Sequence, residues 1–270
     1  MGPGRAPRRP SGSEVTTSPY IQSIERAAAI LRLLSGRSRQ VGVVALANEL
    51  GLPKGTVHGL LRTLQLVGYV EQDPATGKYQ LGAALLHMGS LYLDGNELRS
   101  RALNWSDSLA AHTDEAVRIG MLHDHQVLIV HHVFRPDDSF QTLDVGSMLP
   151  AHATALGKVL LAHNPFALRE VVSLGLQSFT DATLCDPERL KRELERVSEH
   201  DWAADIGELQ SGQMSIAAPI TDHTERTVGA IGIFGPTGRL LAAHQPRGEL
   251  VAHVRDAARA VSRELGASPW

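Results

Sequence analysis

Lys54, Thr56, His58 and Arg62 fall within one short stretch, KGTVHGLLR, and their types suit a grip on a polyanion. A guanidinium can bond both acceptors on a guanine edge, while Lys and Thr hold phosphate oxygens. The other residues with chemical potential are the thirteen histidines and the single Cys185. His123 and His125 flank Asp124 in a turn-like stretch. His131 and His132 adjoin in an extended one, where neighbours point to opposite faces. No three ligands converge in either place, so a zinc site is not expected. Cys185 has no neighbouring motif that would activate it. GAIGIFG spaces its glycines by three rather than as GxGxxG, ALGKVL lacks a glycine-rich phosphate loop, and no GxSxG occurs. Neither catalytic residues nor a cofactor is expected.

The polar cluster needs a helix to present it. Pro53 suits a first turn, and Val57, Leu60, Leu61 and Leu64 then repeat at i, i+3, i+4 and i+7. Turning each residue by about 100° puts Gly55, Gly59 and Arg62 on the opposite face, with Thr56, His58 and Thr63 at its flanks. Two glycines inside a helix cost about 1 kcal/mol each relative to alanine. They leave a bare strip of backbone that can approach something closely. Lys54 lies in the first turn, where the helix dipole disfavours a cation, so an external anion accounts for it. Upstream, VVALANELG predicts a short helix with Val44, Ala47 and Leu50 on one side and Gly51 ending it. Before that, Ile21, Ile24, Ala27, Ala28, Leu31 and Leu34 mark another helix. Two short helices joined around Gly51 predict a helix-turn-helix, and YVEQD and KYQLG around PATG predict a wing hairpin whose Lys78 reaches DNA.

With 270 residues, 43% of them hydrophobic and 20% charged, the chain has material for two domains and is not globally disordered. One cysteine excludes an internal disulfide framework, and no stretch approaches about 18 uninterrupted apolar residues. A cytoplasmic location is expected. Residues 1–19, rich in Pro, Gly, Ser and Arg, are read as a disordered basic arm. Residues 1–80 hold ten Lys and Arg against five Asp and Glu, a charge of +5, whereas the remainder holds sixteen against twenty-four, a charge of −8. A basic first third on an acidic remainder points to DNA at one end only.

Beyond the wing, residues 83–112 predict helices broken near Asp94-Gly95. Leu81, Leu85, Leu86, Met88, Leu91 and Leu93 make that stretch more apolar than a lone exposed linker, which favours packing against a second subunit. AVRIGML and QVLIVHHV then alternate around His123–Gln126 as a hairpin. Asp186-Pro187-Glu188 opens a charged helix, SIAAPI and TVGAIGIF predict strands, and a last helix runs from about Pro246 to Leu265. Strands mixed with helices predict an α/β sheet domain.

IERAAAILRLL, LPKGTVHGLLRTLQLVGYVEQDPATGKYQLG, AHATALGKVLLA, DWAADIGELQSGQMSIAAPI and VGAIGIFGP, in that order, resemble the motifs of the IclR family of bacterial transcriptional regulators from about residue 20 onward. The resemblance implies an α+β protein: an N-terminal winged helix-turn-helix (20–82), linker and dimerisation helices (83–112) and a GAF/profilin-like α/β effector-binding domain (113–268). It also implies homodimers that pair into homotetramers on operator DNA. The recognition helix departs from the family's usual pattern at Gly55 and Gly59, which leaves Thr56, His58 and Arg62 as the main contacts, beside Lys54 and Lys78. For the effector pocket the resemblance implies Ala155, Leu156, Asp205, Ser215, Gly232 and Phe234. Free N–H groups after His152, with the hydroxyl-binding capacity of Asp205 and Ser215, suit a small polyol or its phosphate. HHVFRPDDS, TALGKVL and YLDGNELRSRAL are most similar to the glycerol-responsive branch of the family, which implies glycerol or glycerol 3-phosphate as effector and a repressor of glycerol utilisation. Two alternatives stand beside this reading. One is the same architecture sensing an aromatic or keto acid, and the other is a metal-dependent enzyme domain on a DNA-binding tether.

Overall fold

The computed structural model describes residues 21–36, 40–137 and 141–268, so the arm expected over 1–19 lies outside the described residues. The chain divides into two compact units at Leu91/Tyr92, inside the stretch expected to link them.

The first unit contains α1 (Gln22–Leu34), α2 (Val43–Leu50), α3 (Lys54–Leu66), the strands β1 (Val70–Gln72) and β2 (Tyr79–Leu81), and most of α4 (Ala83–Asp94). Its core joins Ile30, Leu34, Leu46, Val57, Leu61, Leu64, Val70 and Tyr79. In α3 the predicted stripe turns inward, with Val57, Leu61 and Leu64 buried and Leu60 packed at the margin. Gly51 ends α2 in the left-handed conformation (φ 61°) that glycine adopts without strain, and three residues connect α2 to α3. Pro53 is the residue before α3 rather than its first turn, so Lys54 opens the helix. β1 and β2 form an antiparallel hairpin pairing Val70 with Leu81. At its tip the Asp73 carboxylate accepts the Ala75 N–H and the Thr76 hydroxyl at 2.8 and 2.9 Å. These bonds hold Asp73 below the usual carboxylate range.

The predicted face of α2 is shifted and that of α1 is shortened. In α2, Leu46 and Ala47 are buried while Val44 is exposed, because the true stripe starts at Val43 and runs through Leu46, Ala47 and Leu50. In α1 the predicted Leu34 is buried and Ala27 and Leu31 pack against the core beside Ile30, whereas Ile21 and Ile24 remain 67% and 64% exposed at the helix start.

The second unit begins with α5 (Glu97–Thr113), capped by the Asn96 side chain, followed by β3 (Ala116–His123), β4 (Gln126–Val133) and β5 (Met148–Pro150). A 3-10 turn at Ala151–Ala153 leads to α6 (Ala155–Ala162), α7 (Pro165–Leu174) and α8 (Pro187–His200). Asp186 caps α8 through the Arg189 N–H, as its sequence predicts. Next come β6 (Ala203–Ile206), β7 (Gln213–Thr221), β8 (Thr227–Pro236), the short α9 (Thr237–Leu240), β9 (Leu241–Ala242), β10 (Gln245–Pro246) and α10 (Gly248–Glu264). Six strands form one antiparallel sheet in the order β5-β4-β3-β8-β7-β6. Residues alternate between its faces. Val117, Ile119, Ile216, Ile231 and Ile233 pack with α5 and α10 in one core, while Val127, Ile129, Ala203, Ala217 and Ala230 pack with α6, α7 and α8 in another.

The helices predicted over 83–112 break at Gly95-Asn96 and behave differently. In α5, Leu98, Ala102, Leu109 and Ala110 belong to the second unit's own core. In α4 no residue is buried, and Leu86, Met88 and Leu91 are exposed by 75%, 51% and 60%. Among the described residues no helix is long and apolar enough to cross a membrane.

Candidate nucleic-acid interface and effector cleft

On the outer face of α3, Lys54, Gly55, His58, Gly59 and Arg62 are exposed and Thr56 is half-buried. The side chains of Lys54, His58 and Arg62 make no hydrogen bond or ion pair within the described residues, nor does that of Lys78 on the wing. A Cβ added at Gly55 or Gly59 would meet nothing within 4 Å. The fold itself therefore does not require glycine at either position, and the bare strip faces outward. Thr63, also on that side, spends its hydroxyl on the Gly59 carbonyl at 3.1 Å. The result is a smooth length of backbone with Lys54 and Arg62 unpaired beside it among the described residues, which is what close approach to a phosphate-lined groove needs.

In the second unit the strand register assembles a cleft. Asp205 pairs with Ser215, Ser215 with Phe234, Ala217 with Gly232, and Gly232 with Arg118. Partners across an antiparallel pair share a face, so Asp205, Ser215, Phe234, Gly232 and Arg118 all look toward α6. With Leu156, Thr154, Gln210 and Gln213 they line a cleft of about 260 Å³. Ala155 is buried behind the lining and contributes through its N–H, which donates to the Ser215 hydroxyl at 3.4 Å. Ser215 in turn donates to Asp205 Oδ2 at 3.3 Å. Both bonds are long enough to be exchanged for a ligand hydroxyl at little loss. Gly232 has a steric reason to be glycine, since a Cβ there would stand 2.5 Å from the Ile216 carbonyl oxygen.

The start of α6 is less open than the sequence suggests. Thr154 caps it by accepting the Gly157 N–H at 3.2 Å, and Ala155 N–H is held by Ser215. Of the first three amides of α6, only that of Leu156 lacks an acceptor among the described residues. His152 points elsewhere, to the Gln177 carbonyl. Beneath Asp205 lies a buried charge cluster. Lys158, 1% exposed, bonds the Ala204 carbonyl at 2.8 Å and the Glu208 carboxylate, and the Glu208 N–H donates to Asp205 Oδ1 at 2.7 Å. Burial pushes both Asp205 and Glu208 above their ordinary values, against the lowering pull of these hydrogen bonds and of Lys158.

Residues 23–74 match the family described as the IclR helix-turn-helix domain, and residues 90–263 match the bacterial transcriptional regulator IclR C-terminal family. The chain belongs to the IclR family. It is 55% identical over 247 residues to the glycerol operon regulatory protein of Streptomyces coelicolor, covering 92% of this chain and 97% of that one. Identity is 51% to the protein of the same description from Streptomyces griseus, with the same coverage. The crystal structure of an IclR regulator from Alicyclobacillus acidocaldarius superposes with a TM-score of 0.77 at 28% identity, covering 90% of this chain and 98% of that one. This IclR protein is thus a ligand-responsive, DNA-binding transcriptional regulator with operator DNA as its partner.

Arg118 is the cleft residue that sequence reasoning missed. Its Cζ lies 3.2 Å from the centroid of the Phe234 ring. Its Nε and Nη2 donate to Asp144 Oδ2 at 2.8 and 2.5 Å. A signal existed: within AVRIGML, Arg118 is the charged residue between Val117 and Ile119, so it belongs to the face opposite theirs. Of the histidines, His123 and His125 are exposed at the β3–β4 turn, and His132 is buried on the cleft side with its Nδ1 accepting the Asp144 N–H at 3.1 Å. Among the described residues no three His, Cys, Asp or Glu side chains gather as a metal site would require. Cys185 is exposed and free.

Proposed function

We propose that this regulator is a cytoplasmic repressor of a glycerol-utilisation operon and that its effector is glycerol or glycerol 3-phosphate. The observation that carries the reading is the 55% identity to a glycerol operon regulatory protein across nearly the full length of both chains. The cleft supports it, because Ser215 and Asp205 offer hydroxyl-matching groups beside the Leu156 N–H. In this reading the DNA-binding domain is 20–82, the linker and dimerisation helices are 83–112, and the effector domain is 113–268. Lys54, Gly55, Thr56, His58, Gly59, Arg62 and Lys78 meet DNA. Ala155, Leu156, Asp205, Ser215, Gly232 and Phe234 form the effector site. The protein catalyses no reaction.

The exposed apolar side of α4 supports a dimer, since a second copy would cover Leu86, Met88 and Leu91. Two heads double the phosphate contacts and the bases read. An effector acts here by binding one arrangement of the oligomer more tightly than the other. The test is gel-shift titration of promoter fragments from polyol operons against random duplex at matched salt. Preferential binding is expected, relieved by glycerol or glycerol 3-phosphate. Binding no tighter than to random duplex sinks the reading. Relief by an aromatic or keto acid instead would keep the regulator and replace its effector.

A further inference from the structure

We propose that Arg118 is an anion receptor held in reserve by Asp144, and that an effector bearing a phosphate or carboxylate group takes the place of Asp144 on the guanidinium. This rests on the cleft being the effector site and adds the chemical class that the site selects.

Three observations carry it. First, Arg118 stands directly across from Gly232, and both line the cleft. The Phe234 ring beneath fixes its plane. Second, both bonds to Asp144 end on a single oxygen, Oδ2, so of five N–H donors three remain unspent among the described residues, including both on Nη1. A phosphate or carboxylate offering two oxygens would pair with two donors in parallel, the stronger geometry for this group. The pair is also reachable from solvent, the side chains being 20% and 21% exposed.

Third, Asp144 is joined through a short stretch of chain to the hydroxyl-binding end of the cleft. Its segment is pinned by the His132 ring and by the Ser147 N–H on its own carbonyl, then continues through β5 and the 3-10 turn to Ala155. The Ala155 N–H sits on Ser215. A ligand with an anionic end at Arg118 and a hydroxyl end at Ser215 and Asp205 therefore acts on both ends of one stretch, 144–155. Electrostatics favours the displacement. With the Arg118–Asp144 pair intact, an incoming anion meets a neutral pair and the nearby Asp205 carboxyl; with Asp144 gone it meets a cation.

The test is calorimetry on the full chain with glycerol, glycerol 3-phosphate, glycerate and inorganic phosphate, using wild type, Arg118→Gln, Arg118→Lys and Asp144→Asn. Thermal melts confirm folding. Wild type should prefer glycerol 3-phosphate over glycerol by about tenfold or more, and Arg118→Gln should bring the ratio of the two affinities, read in the same protein, close to one. Arg118→Lys, which keeps the charge and loses the fork, should retain only part of it. Asp144→Asn removes the competitor and should tighten the anions several-fold without moving glycerol. A preference that survives Arg118→Gln, anions weakened by Asp144→Asn, or wild type that binds only glycerol or nothing would each overturn the proposal. Should Arg118→Gln fail to fold, the response of the anions to Asp144→Asn, with Arg118 intact, decides the matter. Anions that bind through Arg118 while neither glycerol compound does would leave the receptor standing and remove the glycerol reading.

Discussion

The outer face of α3 and the floor of the effector cleft treat polar groups in opposite ways. On α3 the cations have no intramolecular partner among the described residues, the backbone between them is bare, and the apolar stripe behind them is closed. In the cleft the charged groups and Ser215 hold one another: Arg118 with Asp144, Ser215 with Asp205 and Ala155, Asp205 with Glu208, and Glu208 with Lys158. A surface awaiting a large polyanion can leave its charges in water, where an unpaired cation loses little. A buried pocket cannot, because an unsatisfied charge in low dielectric is expensive. The cleft must therefore work by exchange, and the helix face by addition.

The largest expected effect tests the exchanging side. Lys158→Met strands Glu208 without its cation and should destabilise the protein by about 3–5 kcal/mol in urea melts. Replacing Glu208 by Leu in the same chain should recover most of that. If Lys158→Met alone is neutral, the cleft floor is not the interlocked unit described. The additive side should respond without any change in stability. Arg62→Ala is expected to lower discrimination between operator and random DNA by about 1–3 kcal/mol in gel shifts while the melting temperature stays put. Specificity left unchanged would mean that α3 lies in the groove by another face.

Smaller effects sharpen the contrast. Gly55→Ala and Gly59→Ala should each stabilise α3 by up to about 1 kcal/mol in thermal melts and weaken operator binding. Lys54→Ala should weaken specific and random DNA alike and reduce the salt slope by about one, measured by titration across salt concentrations. The pH response is the mildest. Burial holds His131, His132 and His163 below 6.5, so their contribution to stability is full above that value and fades as pH falls through their folded values. Asp205 and Glu208 are shifted the other way, so their contribution is lost as pH rises through their folded values and partly offsets the histidines on acidification. Melting temperatures should fall from about pH 7 to about 5.5, where the histidines lose their contribution.

Local pattern carried much of the architecture. The leucine spacing of residues 53–66 oriented α3, Gly51 and the cap at Asp186 placed helix ends, and the alternation in AVRIGML placed a strand. The cleft was legible only through resemblance to a family, because its members come from β3, β6, β7, β8 and α6, and no short-range rule brings Asp205 beside Ser215 or Arg118 across from Gly232. Long-range register did that. The displaced α2 stripe has a humbler cause: VVALANEL offers two overlapping apolar phases, and only packing against α1 and α3 selects one.

Gly55 and Gly59 sit where their own fold would accept a methyl group freely. A laboratory evolution scheme that rewarded heat resistance alone would be drawn to alanine at both sites and would return a sturdier protein that had drifted off its promoter. Retained glycine at these two positions would then serve as a sequence-level marker of selection for gene control acting against selection for robustness.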